Sequence, residues 1–172
     1  MNRIILRAPE PKDAEFLIEL MNTPAYIKYI GDRNIHSIKD AETFLENRCY
    51  PQFKEHGFGM FTVDLAETGK SIGISGLVIR PELPYPDMGF AFLPEYEGKG
   101  LAREATDYLI QHYEAKFPEF YAITTHDNER SKALLGKQGF QLVDDNFSLP
   151  NDPERLFLFK RVNVGNSKQD LT

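Results

Sequence analysis

The sequence contains few of the residues on which several protein classes depend. Cys49 is the single cysteine among 172 residues, so an internal disulfide is excluded, and no cysteine–histidine spacing indicates a zinc site. No segment approaches the roughly 18 uninterrupted apolar residues that a membrane-spanning helix requires. Residues 1–7 are too few and too charged for a signal peptide. We therefore expect a cytoplasmic protein that has neither a metal nor a membrane partner.

Positive charge is also scarce. The 20 Lys and Arg residues are outnumbered by 26 Asp and Glu residues, which gives a net charge of −6 and a pI near 5.3. General nucleic-acid binders are usually basic, so nucleic acid is not an expected partner. An acidic protein suits a cationic amine substrate, but many enzymes with neutral substrates are equally acidic. The charge balance therefore excludes one class of partner without selecting a substrate.

Length and composition predict one folded domain. A chain of 172 residues with 41% hydrophobic residues, including 13 Phe and 8 Tyr, can bury a substantial core. No internal repeat or linker divides it. We expect a domain at residues 1–162, a polar, frayed tail at 163–172, and a monomer or homodimer.

The spacing of apolar residues predicts alternating strands and helices. Ser37 and Asp40 resemble a capping box that opens the second helix, and residues 67–69 mark a hairpin turn. The order is strand, two helices, three strands, helix, strand, helix and two strands, which is a mixed α+β layer structure. Strands are predicted at residues 4–6, 58–65, 71–80, 88–93, 121–126, 140–143 and 156–159, and helices at 13–21, 37–49, 101–117 and 130–138.

The strongest functional signal lies in residues 93–105, which join a predicted strand to the longest predicted helix. Gly98 and Gly100 stand at the junction, and glycine lets backbone amides approach a ligand closely. A helix start leaves about four N–H groups without intrahelical partners and carries about half a positive charge. Strand, glycine loop and helix start together predict a phosphate or pyrophosphate site. A plain strand-to-helix connection is the alternative.

Two familiar phosphate-binding motifs are excluded at this loop. A P-loop requires Ser or Thr after Gly-Lys, but Lys99 is followed by Gly100 and Leu101, so no hydroxyl is present to hold magnesium. The dinucleotide fingerprint requires a third glycine three residues after the second, and that position is Arg103.

Residues 97–102, Glu-Gly-Lys-Gly-Leu-Ala, resemble the acyl-CoA pyrophosphate loop of the GNAT superfamily of N-acetyltransferases, usually written Gln/Arg-x-x-Gly-x-Gly/Ala. Gly100 and Ala102 match the last two defining positions. Glu97 departs from the first, and we expect its carboxylate to point to solvent, because facing inward it would repel a pyrophosphate. The order of elements is similar to the family along about residues 3–161.

A second family segment follows downstream. Residues 126–135, followed by Gly139 and Phe140, are similar to the Asn-x-x-Ser…Gly-Phe segment of the superfamily. There the Asn commonly hydrogen-bonds the pantetheine arm and the Ser lies near the thioester sulfur. The alternative is that Asn128 is a helix N-cap and Ser131 an ordinary first-turn residue. Residues 7–14 also resemble the branch that acetylates the N-termini of ribosomal proteins.

The resemblance implies a mostly antiparallel sheet of about seven strands, splayed at the cofactor site, with about four helices on its faces. It implies acetyl-CoA as cosubstrate and no metal. Arg103 either adds charge near the phosphates or pairs with Glu97 or Glu104. Backbone contacts to pantetheine are assigned to Phe92 and Leu93, and backbone contacts to pyrophosphate to Gly98, Lys99, Gly100, Leu101, Ala102 and Arg103.

Acetyl transfer to an amine requires a neutral amine, a polarised carbonyl and a stabilised thiolate. Asp87 is the first candidate base, because many family members place a glutamate at the start of the strand along the cofactor; the alternative is a solvated strand-start residue. His126 is the second, as a proton relay through water or as a hydrogen-bonded framework residue. Ser131 is the candidate acid, or a hydrogen-bond donor to the sulfur.

The leading hypothesis is an acetyl-CoA-dependent N-acetyltransferase that acts on a protein N-terminus or a small amine. No nucleophilic Ser or Cys motif is present, so we expect direct transfer in a ternary complex. One rival is a non-catalytic acyl-CoA-binding module, and another is a nucleotide-binding protein that lacks a magnesium ligand. The acceptor would enter beside the first two helices and the loop before Asp87, where Tyr26, Tyr29, Phe58 and Tyr85 either line the entrance or pack in the core.

Overall fold

The computed structural model describes residues 3–163, and its framework is one sheet of seven strands in the order β1-β2-β3-β4-β5-β7-β6. Neighbouring strands are antiparallel except for β4 and β5, which are parallel. The expected mixed, mostly antiparallel sheet is therefore confirmed. The strands are β1 (Ile4–Arg7), β2 (Met60–Leu65), β3 (Ser71–Val78), β4 (Asp87–Phe92), β5 (Glu119–Thr125), β6 (Gln141–Phe147) and β7 (Leu156–Val162).

Among residues 3–163, five continuous α-helical stretches cover the sheet, because a π-helical turn at Leu45–Cys49 joins two of the α-helical segments end to end. The sequence predicted four of these helices and missed a segment of six residues, which is too short to show a periodicity. It begins after Thr23, whose hydroxyl accepts a hydrogen bond from the amide of Tyr26. The α-helical segments are α1 (Ala14–Met21), α2 (Pro24–Tyr29), α3 (Ile38–Phe44), α4 (Tyr50–His56), α5 (Leu101–Tyr113) and α6 (Glu129–Lys137).

Several predicted boundaries shift for local reasons. The capping box at Ser37 and Asp40 is confirmed, with reciprocal bonds of 3.0 and 3.2 Å. The helix predicted to reach residue 117 ends at Tyr113, and residues 114–116 form a turn before Pro118. The strand predicted at 140–143 extends to Phe147. It lies at the edge of the sheet, where polar residues are tolerated, and these residues lack the apolar pattern that predicts a strand.

Helices pack on both faces of the sheet. Successive side chains of a strand point to opposite faces, and β4 shows this directly. Ala91 packs with the buried residues of α1 and α3, whereas Met88 and Phe92 pack with those of α5. The sheet is thus the middle of three layers. Helices α1–α3 lie on one of its faces, and α5 and α6 lie on the other.

A charged network fixes β1 against β2 and the start of α1. The Arg7 guanidinium contacts Asp13 at 2.6 Å and Asp64 at 2.7 Å, and Thr62 and Ser71 each donate a hydroxyl to one of these carboxylates. Burial disfavours the charged form of Asp13, but the bond from Arg7 and two further hydrogen bonds outweigh it and hold the pKa of Asp13 below its ordinary value. The five side chains come from four separate stretches of sequence, and the sequence analysis did not find them.

Asn163 lies inside the fold. Its side chain is fully buried, donates to the carbonyl of Phe117 at 2.7 Å and accepts from Arg161 at 2.7 Å. The remainder of the predicted tail, 164–172, lies outside the described residues. Within residues 3–163 no helix combines the length and the apolar character needed to cross a membrane.

Candidate active site

The parallel strands β4 and β5 meet at one residue pair and then separate. Asp87 lies opposite Tyr121, whose amide donates to the carbonyl of Pro86 at 2.9 Å. Among residues 3–163 no further β4–β5 pair forms, so the remainder of β4 and β5 borders a gap that is closed at the Asp87 end. We call this gap the β4–β5 opening. It is the splay that the family resemblance implies.

The backbone of β4 presents alternate residues to the opening. In an antiparallel ladder, successive residues direct their N–H and C=O groups to opposite edges. The Leu93 amide donates to Ile72 at 2.8 Å and its carbonyl accepts from Tyr96 at 2.9 Å, so Leu93 is engaged with its own chain. Phe92 and, two residues earlier, Phe90 direct their backbone groups to the opening. The family resemblance assigns Phe92 and Leu93 to pantetheine; the geometry favours Phe90 and Phe92.

The glycine loop has the backbone conformation that its sequence predicts. Gly98 and Gly100 have φ of 73° and 78°, a left-handed region that side chains disfavour. A Cβ added to Gly98 would meet no heavy atom within 4 Å, so the space beside this glycine is open. The first intrahelical bond of α5 runs from the Glu104 amide to the Gly100 carbonyl, so within the described residues the amides of 101–103 have no partner and are free for an anion.

Charged side chains surround this loop, and the carboxylate of Glu97 is paired. Arg130, near the start of α6, contacts Glu97 at 2.7 Å and bridges the β4–β5 opening. Arg3 donates to the carbonyl of Lys99 and pairs with Glu104, both at 2.9 Å. Arg3 and Arg130 could not be assigned to this site from the sequence, since neither is near the loop along the chain.

The Arg103 side chain pairs with neither Glu97 nor Glu104, since its guanidinium faces Asp107 one helical turn away at 3.6 Å. Both members of this pair are about half exposed, and the role of Arg103 near the phosphates stays a prediction.

Asp87 lies at the closed end of the opening and is only 6% exposed. One carboxylate oxygen accepts a hydrogen bond of 2.6 Å from Nε of Arg80. Burial raises the pKa of Asp87 to about 6, and the charge and hydrogen bond of Arg80 offset part of that rise. The carboxylate is not a solvated strand-start residue, and its pKa is suited to accepting a proton near neutral pH.

Asn128 and Ser131 lie at the start of α6, on the far side of the opening. The Asn128 side chain accepts a hydrogen bond from the Ser131 amide at 3.2 Å, so the N-cap interpretation is confirmed. This bond occupies only the side-chain oxygen of Asn128. Within the described part of the chain, its amide nitrogen and the Ser131 hydroxyl have no hydrogen-bond partner and remain available to a ligand.

His126 is placed away from Asp87. It follows β5 by one residue, five residues beyond Tyr121, which at about 3.3 Å per residue separates it from the Asp87 end by roughly 16 Å. Its exposed ring stacks on Phe157 with centroids 4.2 Å apart, and its carbonyl accepts from Lys132 at 2.7 Å. The structure does not bring the two candidate bases together, and these contacts fit the framework role.

Of the four aromatic residues expected near the acceptor entrance, two belong to the core. Tyr26 is buried against α1 and α3, and Phe58 packs on Tyr113. Tyr29 and Tyr85 are half-buried and remain at the surface. Among residues 3–163 no group of three side chains is arranged to hold a metal ion.

A splayed parallel strand pair, a left-handed glycine loop and a free helix start define a transferase that uses an acyl-CoA. Sequence comparison agrees: the acetyltransferase (GNAT) domain matches residues 3–141. The chain therefore belongs to the GNAT family and is an acetyl-CoA-dependent N-acetyltransferase.

Individual relatives are similar at low identity. The uncharacterized N-acetyltransferase YoaA of Bacillus subtilis is 26% identical over 144 residues, which are 81% of this chain and 80% of YoaA. The microcin C7 self-immunity acetyltransferase MccE, solved with acetyl-CoA and AMP, has a TM-score of 0.79 at 22% identity, covering 94% of this chain and 93% of MccE. The ribosomal-protein-S5-alanine acetyltransferase of Vibrio fischeri has a TM-score of 0.75 at 19% identity, covering 95% of each chain.

A further solved structure is the spermidine N-acetyltransferase of Vibrio cholerae with CoA and spermine. Its TM-score is 0.75 at 18% identity, and the match covers 95% of this chain and 97% of that one. At these identities the solved structures support the fold. They do not specify the acceptor.

Proposed function

We propose that this acetyltransferase moves the acetyl group directly to a primary amine, with Asp87 as the base that removes a proton from the acceptor ammonium. One observation carries the proposal. Asp87 is a buried carboxylate with a pKa raised to about 6, placed where β4 and β5 converge. A positioned base of this kind is worth about 10²–10⁴ in rate.

The residues of the opening fit acetyl-CoA. The free amides of residues 101–103 and the open space beside Gly98 suit a pyrophosphate. The backbone groups of Phe90 and Phe92, with the side-chain amide of Asn128, suit the amides of a pantetheine arm. When bound, acetyl-CoA supplies the activated acetyl group as a thioester. The Ser131 hydroxyl is assigned to the sulfur as a hydrogen-bond donor, since a serine hydroxyl is a poor acid.

Direct transfer is supported by the state of the single thiol. Cys49 is buried, and burial raises the pKa of its thiol to about 12, so at neutral pH it is neither accessible nor ionised. An acyl-enzyme on Cys49 therefore has no support. His126 is assigned a structural role beside Phe157 rather than a proton-transfer step.

Acetyl-CoA consumption with and without an amine tests the proposal. The wild-type protein should release CoA faster in the presence of a peptide N-terminus or a small amine. Asp87→Asn should lower this rate about 10²–10⁴-fold while calorimetry shows unchanged acetyl-CoA affinity. Asp145→Asn, which removes an exposed carboxylate from β6, is the matched control and should retain the wild-type rate.

Tight acetyl-CoA binding with no amine-dependent turnover would instead identify a non-catalytic acyl-CoA-binding module. Equal activity of wild type and Asp87→Asn would remove Asp87 from the mechanism and leave deprotonation to water. ATP binding in preference to CoA would contradict the cofactor assignment.

A further inference from the structure

We propose that Arg80 selects acceptors that carry a carbonyl oxygen beside the reactive amine, such as the N-terminus of a peptide or a free amino acid, over alkyl amines and polyamines. The inference rests on the proposed function, because it assumes that the acceptor amine reaches Asp87. It adds the chemical class of the acceptor and the residue that recognises it.

The first support is that Arg80 uses only one of its hydrogen-bond donors, Nε, to hold Asp87. Its Nε donates to one oxygen of Asp87 at 2.6 Å. Within residues 3–163 this is the one hydrogen bond that either side chain makes, so both terminal nitrogens of Arg80 and the second oxygen of Asp87 remain unoccupied. The pair therefore offers donors and an acceptor side by side.

The second support is the gradient of exposure across the pair. The Asp87 side chain is 8% exposed and that of Arg80 is 31% exposed. The guanidinium is thus the more exposed member of the pair, on the loop that precedes β4. An amine that approaches Asp87 from this side passes the terminal nitrogens of Arg80.

The third support is that the backbone holding Arg80 is fixed. The side chain of Gln52, on α4, accepts from the amide of Ile79 at 3.2 Å and donates to its carbonyl at 3.5 Å. The carbonyl of Arg80 accepts from the amide of Leu83 at 3.2 Å, and Pro81 follows directly. A donor held in this way is already oriented before an acceptor binds, which is the condition for selectivity.

The spacing of the free groups matches an α-amino acyl unit. Its nitrogen and its carbonyl oxygen are roughly 3 Å apart by ordinary backbone bond lengths. The nitrogen can reach the free oxygen of Asp87 while the carbonyl oxygen accepts from a terminal nitrogen of Arg80, because a guanidinium presents its donors as a planar fork. An alkyl amine has no acceptor for that fork. A polyamine instead brings a second cation towards it.

The test compares wild type with Arg80→Met, which keeps the apolar stem and removes the donors. The control is Arg155→Met, which removes an exposed arginine from the β6–β7 loop. The acceptors are alaninamide, alanine, isopropylamine and spermidine, and the readout is kcat/KM for CoA release. Taking the mutant-to-wild-type ratio for each acceptor cancels the different basicities of the amines.

We expect Arg80→Met to lose ten- to hundredfold on alaninamide and alanine, the effect of one hydrogen bond to a charged group, relative to its change on isopropylamine. The change on spermidine should be no larger than that on isopropylamine. A larger loss for alanine than for alaninamide would identify the free amino acid as the favoured source of the carbonyl, and the reverse would identify the peptide N-terminus.

An equal loss on all four acceptors would overturn the inference, because it would mean that Arg80 acts only on Asp87 or on the fold. Wild-type activity on isopropylamine and spermidine alone would overturn it as well, with the proposed function intact. Acetyl-CoA binding without acetylation of any amine would remove the proposed function and the inference together.

Discussion

Replacing Asp87 with Asn should stabilise the folded protein increasingly as the pH rises, while it removes activity. The pKa of Asp87 in the folded protein is about 6, against an ordinary value of 3.8 in the unfolded chain. Between these two values the unfolded chain has released a proton that the folded protein still holds. The free energy of unfolding of the wild type therefore falls as the pH rises through this window.

The size of the effect follows from the difference in pKa. About 2 units correspond to about 3 kcal/mol at 1.36 kcal/mol per unit, and the side chain is buried enough for the full effect. Asn does not titrate. At pH 4 the unfolded carboxyl is already more than half ionised, so part of this difference lies below that pH. Relative to wild type, Asp87→Asn should therefore gain about 2.4 kcal/mol between pH 4 and pH 7. The lost bond to Arg80 adds a constant that cancels when the two pH values are compared.

Urea unfolding followed by circular dichroism at pH 4, 5, 6 and 7 measures this directly. Asp145→Asn, whose carboxylate is exposed, should differ from wild type by a constant. Parallel curves for Asp87→Asn and wild type would refute the argument, since they would show that Asp87 has an ordinary pKa in the folded protein. The activity of the wild type should rise with pH through about 6, and that step should be absent in the variant.

Three further substitutions test other parts of the structure. Gly98→Ala should lower the free energy of unfolding by about 1 kcal/mol and weaken acetyl-CoA binding measured by calorimetry, because φ of 73° is strained for alanine. Glu97→Gln should tighten acetyl-CoA binding several-fold at low salt, because it frees Arg130, and should change stability by less than about 1 kcal/mol. Arg7→Met should cost about 3–5 kcal/mol in urea unfolding, because it leaves Asp13 buried and unpaired.

Each of the three has a control or a contradicting result. Gly69→Ala, at φ of 75° in the hairpin turn with no neighbour within 4 Å, should match the stability loss of Gly98→Ala without affecting acetyl-CoA. If Glu97→Gln weakened binding, the carboxylate would contact the ligand favourably. If the free energy of unfolding of Arg7→Met lay within about 1 kcal/mol of the wild-type value, water or another side chain would be stabilising the Asp13 carboxylate in place of Arg7.

The sequence predicted the elements whose signals are local. The strand, glycine loop and helix at residues 88–113 follow from apolar spacing and from two glycines, and the capping box at Ser37 follows from adjacent residues. The segment α2 was missed because six residues give no periodicity. The partners Arg80 and Arg130 were missed for a different reason, since they lie 7 and 33 residues from Asp87 and Glu97 and only the folded loop and sheet bring each pair together.

The candidate bases show the same limit. The type and position of Asp87 and His126 were visible in the sequence, but their burial and their separation were not. A pKa shift arises from the dielectric around a side chain, and that is a property of the packed fold. From the sequence the two residues are alternative bases. In the structure Asp87 lies at the closed end of the β4–β5 opening, and His126 lies directly after the end of β5.

The single β4–β5 pair leaves the sheet with two internal edges facing each other. Exposed edges invite strands of other chains, and most proteins cover or charge them. Here the shape of the gap gives protection, because an inserted strand needs about 4.8 Å to each neighbour along its whole length, whereas the gap narrows to one direct pair at Asp87 and Tyr121. A thin pantetheine chain with a few amide groups can enter this narrowing gap, whereas a peptide strand cannot. The shape that admits the ligand therefore also prevents strands of other chains from pairing with the two internal edges.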